Sequence, residues 1–136
     1  MRVLSKHFPA NRHAFGLNEL LYDVLVCATS SVPSAKESAS LTFLTRGIWA
    51  VESEFARDSR QALYDFNKLV LAATENKLFV GPQTSDEGAF LAPLLSPAAR
   101  CTDSVFAALL PHPSEWNTSP LHSHAYRFLG DRWIPL

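Results

Sequence analysis

The chain has 136 residues, 12 Lys and Arg against 13 Asp and Glu, a net charge of −1 and 47% hydrophobic residues. That is one domain's length of chain with enough apolar content for a core; it excludes disorder, collagen, coiled coil and a strongly basic nucleic-acid coat protein. No stretch reaches the roughly 18 apolar residues of a membrane span, the N-terminus lacks a signal peptide's apolar region, and Cys27 and Cys101 form no CxxC, so a single cytoplasmic domain over 1–136 with free thiols and no membrane association is expected.

Residues 1–16 are irregular, broken by Pro9 and Gly16, and carry Arg2, Lys6, His7, Arg12 and His13 without an acid. Residues 17–27 read as a helix: Leu17, Leu20, Leu21, Val24 and Leu25 recur at helical spacing, with Asn18 as N-cap and Glu19 in the first turn. Residues 28–40 are small and polar, a loop or a weak edge strand interrupted by Pro33. Residues 41–55 read as two strands around Arg46-Gly47. In the second, alternation puts Trp49, Val51, Ser53 and Phe55 on one face and Ile48, Ala50, Glu52 and Glu54 on the other.

A long helix is expected over 57–75. Its stripe is Leu63, Phe66, Leu69, Val70 and Ala73, widened by Tyr64, Leu71 and Ala72 until burial on more than one side is implied. Asp58 or Ser59 suits its start and Asn76 its stop. Residues 77–81 form a short apolar strand ended by Gly81-Pro82, completing a βαβ unit with parallel strands. Residues 82–97 are loop or partly helical, 98–110 a helix or a buried strand, 111–123 a loop, and the tail a hairpin turning at Gly130-Asp131. The whole is a mixed, layered α/β domain.

Glu52 and Glu54 are the residues best placed for chemistry. Two carboxylates two apart on a strand point the same way, and the carboxyl end of a strand in an α/β sheet is where such sheets bind ligands. Paired carboxylates suit Mg²⁺ or Mn²⁺, and a cation held there can polarise a phosphodiester and activate a water.

Helix, strand hairpin, Val51-Glu52-Ser53-Glu54, helix with Asp65-Phe66-Asn67-Lys68-Leu69, then Lys77-Leu78-Phe79-Val80-Gly81 resembles the restriction-endonuclease-like, PD-(D/E)xK, superfamily core, which runs helix, three strands, helix, strand. The resemblance covers residues 17–81, with 82–136 a C-terminal extension. It implies a metal-dependent nuclease hydrolysing the phosphodiesters of nucleic acid. Glu52 would be the metal-binding acid, Glu54 would stand where the catalytic lysine is usual, and Glu19 would be a helper acid on the first helix. Lys68 or Gln61 would be a lysine or glutamine that has migrated into the following helix. Leu41–Thr45 holds no Asp for the first motif acid, the nearest upstream acid being Glu37. At about 100° per residue, Lys68 points about 150° from the centre of the apolar stripe and is placed to pair with Asp65.

The alternative is the same fold without catalysis, a binding or assembly module. A chain this short and rich in Trp, Phe and Leu would then complete its core through a homodimer interface. Glu52 and Glu54 would in that case be the solvent face of a half-covered strand.

The remaining residues carry weaker signals. His112, His122 and His124 lie in a Pro-rich segment and read as exposed rather than as metal ligands. Cys101 has nothing nearby to activate it. Neither GxSxG nor a Gly-rich phosphate loop occurs. Trp49, Trp116 and Trp133 read as core or interface anchors. Arg57, Arg60 and the basic arm would either contact phosphates or be ordinary solvated surface.

Overall fold

Alternation with a period of two runs through the middle of the chain and decides its layers. Ala50 and Glu52, then Lys77, Phe79 and Gly81, then Val105, Ala107 and Leu109 are buried, while Trp49 and Val51, Leu78 and Val80, Phe106 and Ala108 between them are half-buried. The computed structural model describes residues 1–16, 19–35, 40–117 and 122–136. Its elements are β1 (Arg2–Leu4), α1 (Ala10–Phe15), β2 (Val24–Pro33), β3 (Ser40–Ser53), α2 (Ser59–Val70), β4 (Thr74–Pro82), α3 (Glu87–Leu91), α4 (Leu95–Ala98), β5 (Ser104–Leu110), β6 (His124–Leu129) and β7 (Arg132–Pro135). Single 3₁₀ turns lie at Ala92–Leu94 and Pro113–Glu115.

The seven strands pair in chain order. β3, β4 and β5 run parallel, and all other neighbours are antiparallel. The parallel register sets Glu52 beside Phe79 and Phe79 beside Ala107. α2, the Ala92–Leu94 turn and α4 touch one another, so both crossovers cover the same face. Phe66 of α2 anchors that layer, its ring 5.7 Å from Phe79 and 6.4 Å from Trp133. One hydrophobic cluster runs from Leu4 to Leu109, with Phe128 and Trp133 packed against it. The expected mixed α/β class, the β3–α2–β4 unit and the terminal hairpin are all present. Gly130 takes φ +68° in that hairpin's turn, a conformation glycine adopts without strain.

Other expectations are corrected. The predicted helix over 17–27 does not form: Val24 onward belongs to β2, hydrogen-bonded to β1 on one side and β3 on the other. Leu17 and Asn18, the proposed start and cap, lie outside the described residues, as does Glu37. The helical spacing of the leucines is outweighed by Val24-Leu25-Val26-Cys27, which alternates and is β-rich, with Leu25 and Cys27 buried. Over 17–82 the chain therefore runs two strands, helix, strand, with no helix at its start.

Arg46-Gly47 is not a turn. β3 is continuous for 14 residues, and the irregularity at Gly47 appears as two register shifts against β2. A Cβ on Gly47 would sit 2.5 Å from the Thr74 methyl, so glycine there admits the start of β4. α2 ends at Val70 rather than at 75, and Tyr64 and Leu71 are exposed, so it buries one side only. Asp58 caps it through Arg60 N at 2.9 Å. Of the two options for 98–110, the buried strand is the one found.

Candidate functional site

Glu52 is the penultimate residue of β3 and 1% exposed. Even positions of β3 face the helical layer, so its carboxylate lies under α2. Its Oε2 accepts a hydrogen bond from Lys68 Nζ at 2.8 Å, and the same ammonium lies 2.8 Å from Asp65 Oδ1. Its Oε1 is buried without a hydrogen-bond partner. Lys68 reaches this point although its Cα lies on the flank of the helix, because its flexible stem runs along the protein surface and leaves the head half open to solvent.

A second acid comes from the start of β2. The antiparallel pairing of Val24 with Val51 brings the residue before β2 next to the end of β3. That residue is Asp23, whose Oδ2 accepts from Ser53 N at 2.9 Å and Ser53 Oγ at 2.7 Å. Tyr22, buried beside it, feels the Glu52 charge. Leu21, just upstream and 76% exposed, has φ 65°, an uncommon left-handed conformation for a leucine.

The electrostatics follow from this packing. Burial pushes the Glu52 carboxyl above its ordinary 4.5; the hydrogen bond and charge of Lys68 pull it down, and Asp23 and Asp65 push it up. The hydrogen bonds to Asp65 and Glu52 raise the Lys68 ammonium. Burial, then Glu52, raises the Tyr22 hydroxyl.

No known protein family, curated protein or solved structure matches this chain.

Of the site residues expected from sequence, Glu52 and Lys68 are brought together and the others are not. Glu54 lies beyond the end of β3 and does not share Glu52's direction: its Oε1 accepts from Ala56 N at 2.7 Å and shapes the turn into α2. Gln61 is exposed on α2, one and two turns before Asp65 and Lys68 on the same face. Glu19 is exposed in irregular chain rather than on a helix. Asp65 is the helical partner that the spacing expects for Lys68, whereas Asp23 and Tyr22 are unforeseen. Asp23 was hidden by the helix assignment, although an acid heading an alternating β-rich run was a visible signal.

Among the described residues, no group of three or more His, Cys, Asp and Glu side chains forms a metal-holding cluster. A cation here would rest on fewer carboxylates, with water or substrate completing its shell, as Mg²⁺ commonly does. The donor set fits a hard cation in one specific respect: Glu52 Oε1 is a buried carboxylate oxygen with no partner. His124 instead hydrogen-bonds Glu87 through Nδ1 at 2.9 Å, and Tyr126 donates to Glu87 at 2.6 Å, which pushes the tyrosine up to about 12.

Proposed function

We propose that the protein is a divalent-metal-dependent phosphodiesterase acting on nucleic acid in the cytoplasm, through a divergent restriction-endonuclease-like site. One observation carries this reading: Asp23 stands beside Glu52 across the β2–β3 pair, with Lys68 2.8 Å from the same Glu52. An acid on the strand before Glu52 was the missing part of the resemblance. The preceding strand is β2, not Leu41–Thr45, and the residue just before its first, Val24, is an aspartate. The lysine comes from α2 in place of the position held by Glu54. Free Cys27 and Cys101 fit a reducing compartment.

Asp23 and Glu52 would hold Mg²⁺ or Mn²⁺, which when bound supplies Lewis-acid polarisation of the phosphate and a more acidic water. Lys68, released from Glu52, is placed to neutralise charge on a phosphate oxygen. Asp65 keeps the ammonium charged and aimed at the site. Ser53 orients Asp23 through two hydrogen bonds.

Calorimetric titration with Mg²⁺ and Mn²⁺ tests the reading, followed by cleavage assays on single- and double-stranded DNA and RNA. Wild type should bind metal and cleave. Asp23→Asn and Glu52→Gln should each lose roughly 100-fold or more in rate and bind metal weakly. A wild type that neither binds metal at millimolar concentration nor cleaves ends the catalytic reading.

The second reading, an assembly module, is favoured by a separate observation. The sheet face away from the helices is apolar and only half-covered, and it continues onto Val32, Leu41 and Phe43, each more than 40% exposed. A second copy laid on that face would cover it.

A further inference from the structure

The carboxyl ends of β3 and β4 lead into an open cavity of about 430 Å³ lined by Arg57, Gln83, Thr84 and Ser85. It adjoins a smaller one of about 230 Å³ that shares Arg57, Thr84 and Ser85 and adds Ser59 and Asp86. Their walls are donor-rich. Arg57 contributes a largely exposed guanidinium that forms a loose surface ion pair with Glu115 Oε1 at 3.8 Å, which an incoming anion would have to outcompete. Thr84 Oγ1 is buried with no partner, an arrangement that calls for a ligand atom or water. Gln83 is held rigidly: its Nε2 donates to His122 O at 2.8 Å and Leu109 O at 3.4 Å, and its backbone N to Leu110 O at 2.7 Å. Asp86, the acid of the smaller cavity, is engaged in capping Ala89 N at 2.8 Å. Among the described residues the larger cavity is lined by a cation and hydroxyls and by no carboxylate, which suits a tetrahedral oxyanion.

We infer that this pocket binds a phosphate group, and specifically a non-scissile phosphodiester of the strand whose scissile phosphate lies at Asp23 and Glu52. The naming of nucleic acid as the phosphate's source rests on the proposed phosphodiesterase reading; the anion pocket does not. Arg57 is five positions after Glu52, so the two lie within about 17 Å, the reach of five extended peptide units. Both sit at the carboxyl edge of the parallel strands, where open α/β sheets bind ligands. Arg57 binds the phosphate oxygens, with Thr84 and Ser85 donating beside it.

The test is made without metal, so that it does not depend on the catalytic site. Fluorescence anisotropy of short labelled single- and double-stranded DNA is followed against salt for wild type, Arg57→Gln and Thr84→Val. Arg57→Gln should weaken binding roughly tenfold and reduce the salt slope by about one, and Thr84→Val should weaken it several-fold. In parallel, inorganic phosphate should shift the amide resonances of Gln83, Thr84 and Ser85 in wild type but not in Arg57→Gln. DNA binding indifferent to Arg57 overturns the proposal, as does the absence of those phosphate-induced shifts. Shifts with phosphate but no binding of DNA overturn nucleic acid as the source. The metal titration separately judges the catalytic reading.

Discussion

At the residue scale, Glu52 and Lys68 are two halves of one arrangement with unequal exposure. The carboxylate is buried, and the ammonium is half open to water. Removing the ammonium leaves a buried charge without its main counterion, which is the costly way to break such a pair. Lys68→Met should therefore destabilise the fold by about 1–2 kcal/mol at neutral pH, less than a fully buried pair because solvent screens the lysine side. Without Lys68 the Glu52 carboxyl rises further. A raised folded value means that the native state holds the proton more tightly, so this group's favourable contribution is complete below 4.5 and is lost as pH rises through the folded value. The penalty in Lys68→Met should accordingly shrink as pH falls towards 4.5, and urea midpoints at neutral and acid pH would show it. A pH-independent penalty would mean that Glu52 is neutral throughout. Metal affinity in wild type should fall with acid about a midpoint above 4.5, because the proton and the cation compete for the same oxygens.

Lys77 poses the opposite case. It is fully buried, donating to Thr74 O at 2.7 Å and Thr102 O at 2.6 Å, and burial lowers its ordinary 10.5. A lowered base is better accommodated neutral, so stability should rise with pH between its folded value and 10.5. Replacing it by methionine should flatten that rise and cost about 1–3 kcal/mol for the two carbonyls left unpaired, read from denaturation midpoints in mildly alkaline buffer.

At the element scale, the turn into β2 holds the strain. Leu21 has φ 65° with its side chain exposed, so its conformation costs energy without a packing return. Leu21→Gly should stabilise the fold by about 0.5–1 kcal/mol, against the entropy that glycine adds to the unfolded chain. Thermal denaturation measures it; a loss of stability would mean that Leu21 packs on something in solution. The β2–β3 ribbon is the second notable element. Residues 28–33 and 40–46 pair only with each other, beyond the reach of β1 and β4. A two-stranded ribbon is marginal by itself in water, and this one carries exposed Val32, Leu41 and Phe43.

At the scale of the whole molecule, both crossovers lie on one side of the parallel strands. Strands about 4.8 Å apart, rising about 3.3 Å per residue and averaging about seven to eight residues, make a sheet face of roughly 850 Å² with the ribbon included. That is of the order of the roughly 800 Å² per partner of a standard interface, and a twofold axis would pair the same patch with itself. On the assembly reading, sedimentation should detect a dimer that Phe43→Ser weakens. A monomer at every accessible concentration would remove the assembly reading and leave the catalytic one standing. No helix among the described residues is long and apolar enough to cross a membrane.

Much was legible in sequence because it depends on neighbours along the chain. The period of two in Trp49–Glu52, the helix capped by Asp58, the Gly130-Asp131 turn and the pairing of Lys68 with Asp65 all follow from local spacing. Glu52 stood out for the same reason, as an acid at the end of an apolar strand. What only tertiary structure decided is whatever depends on strands meeting. Val24–Val26 became a strand because β1 and β3 flank it, and Gly47 stayed extended because β4 starts against it. The partnership of Asp23 with Glu52 spans 29 positions and exists only because an antiparallel register joins Val24 to Val51. Periodicity within one segment carries no information about that register, so the site's second acid could be seen only in the folded sheet.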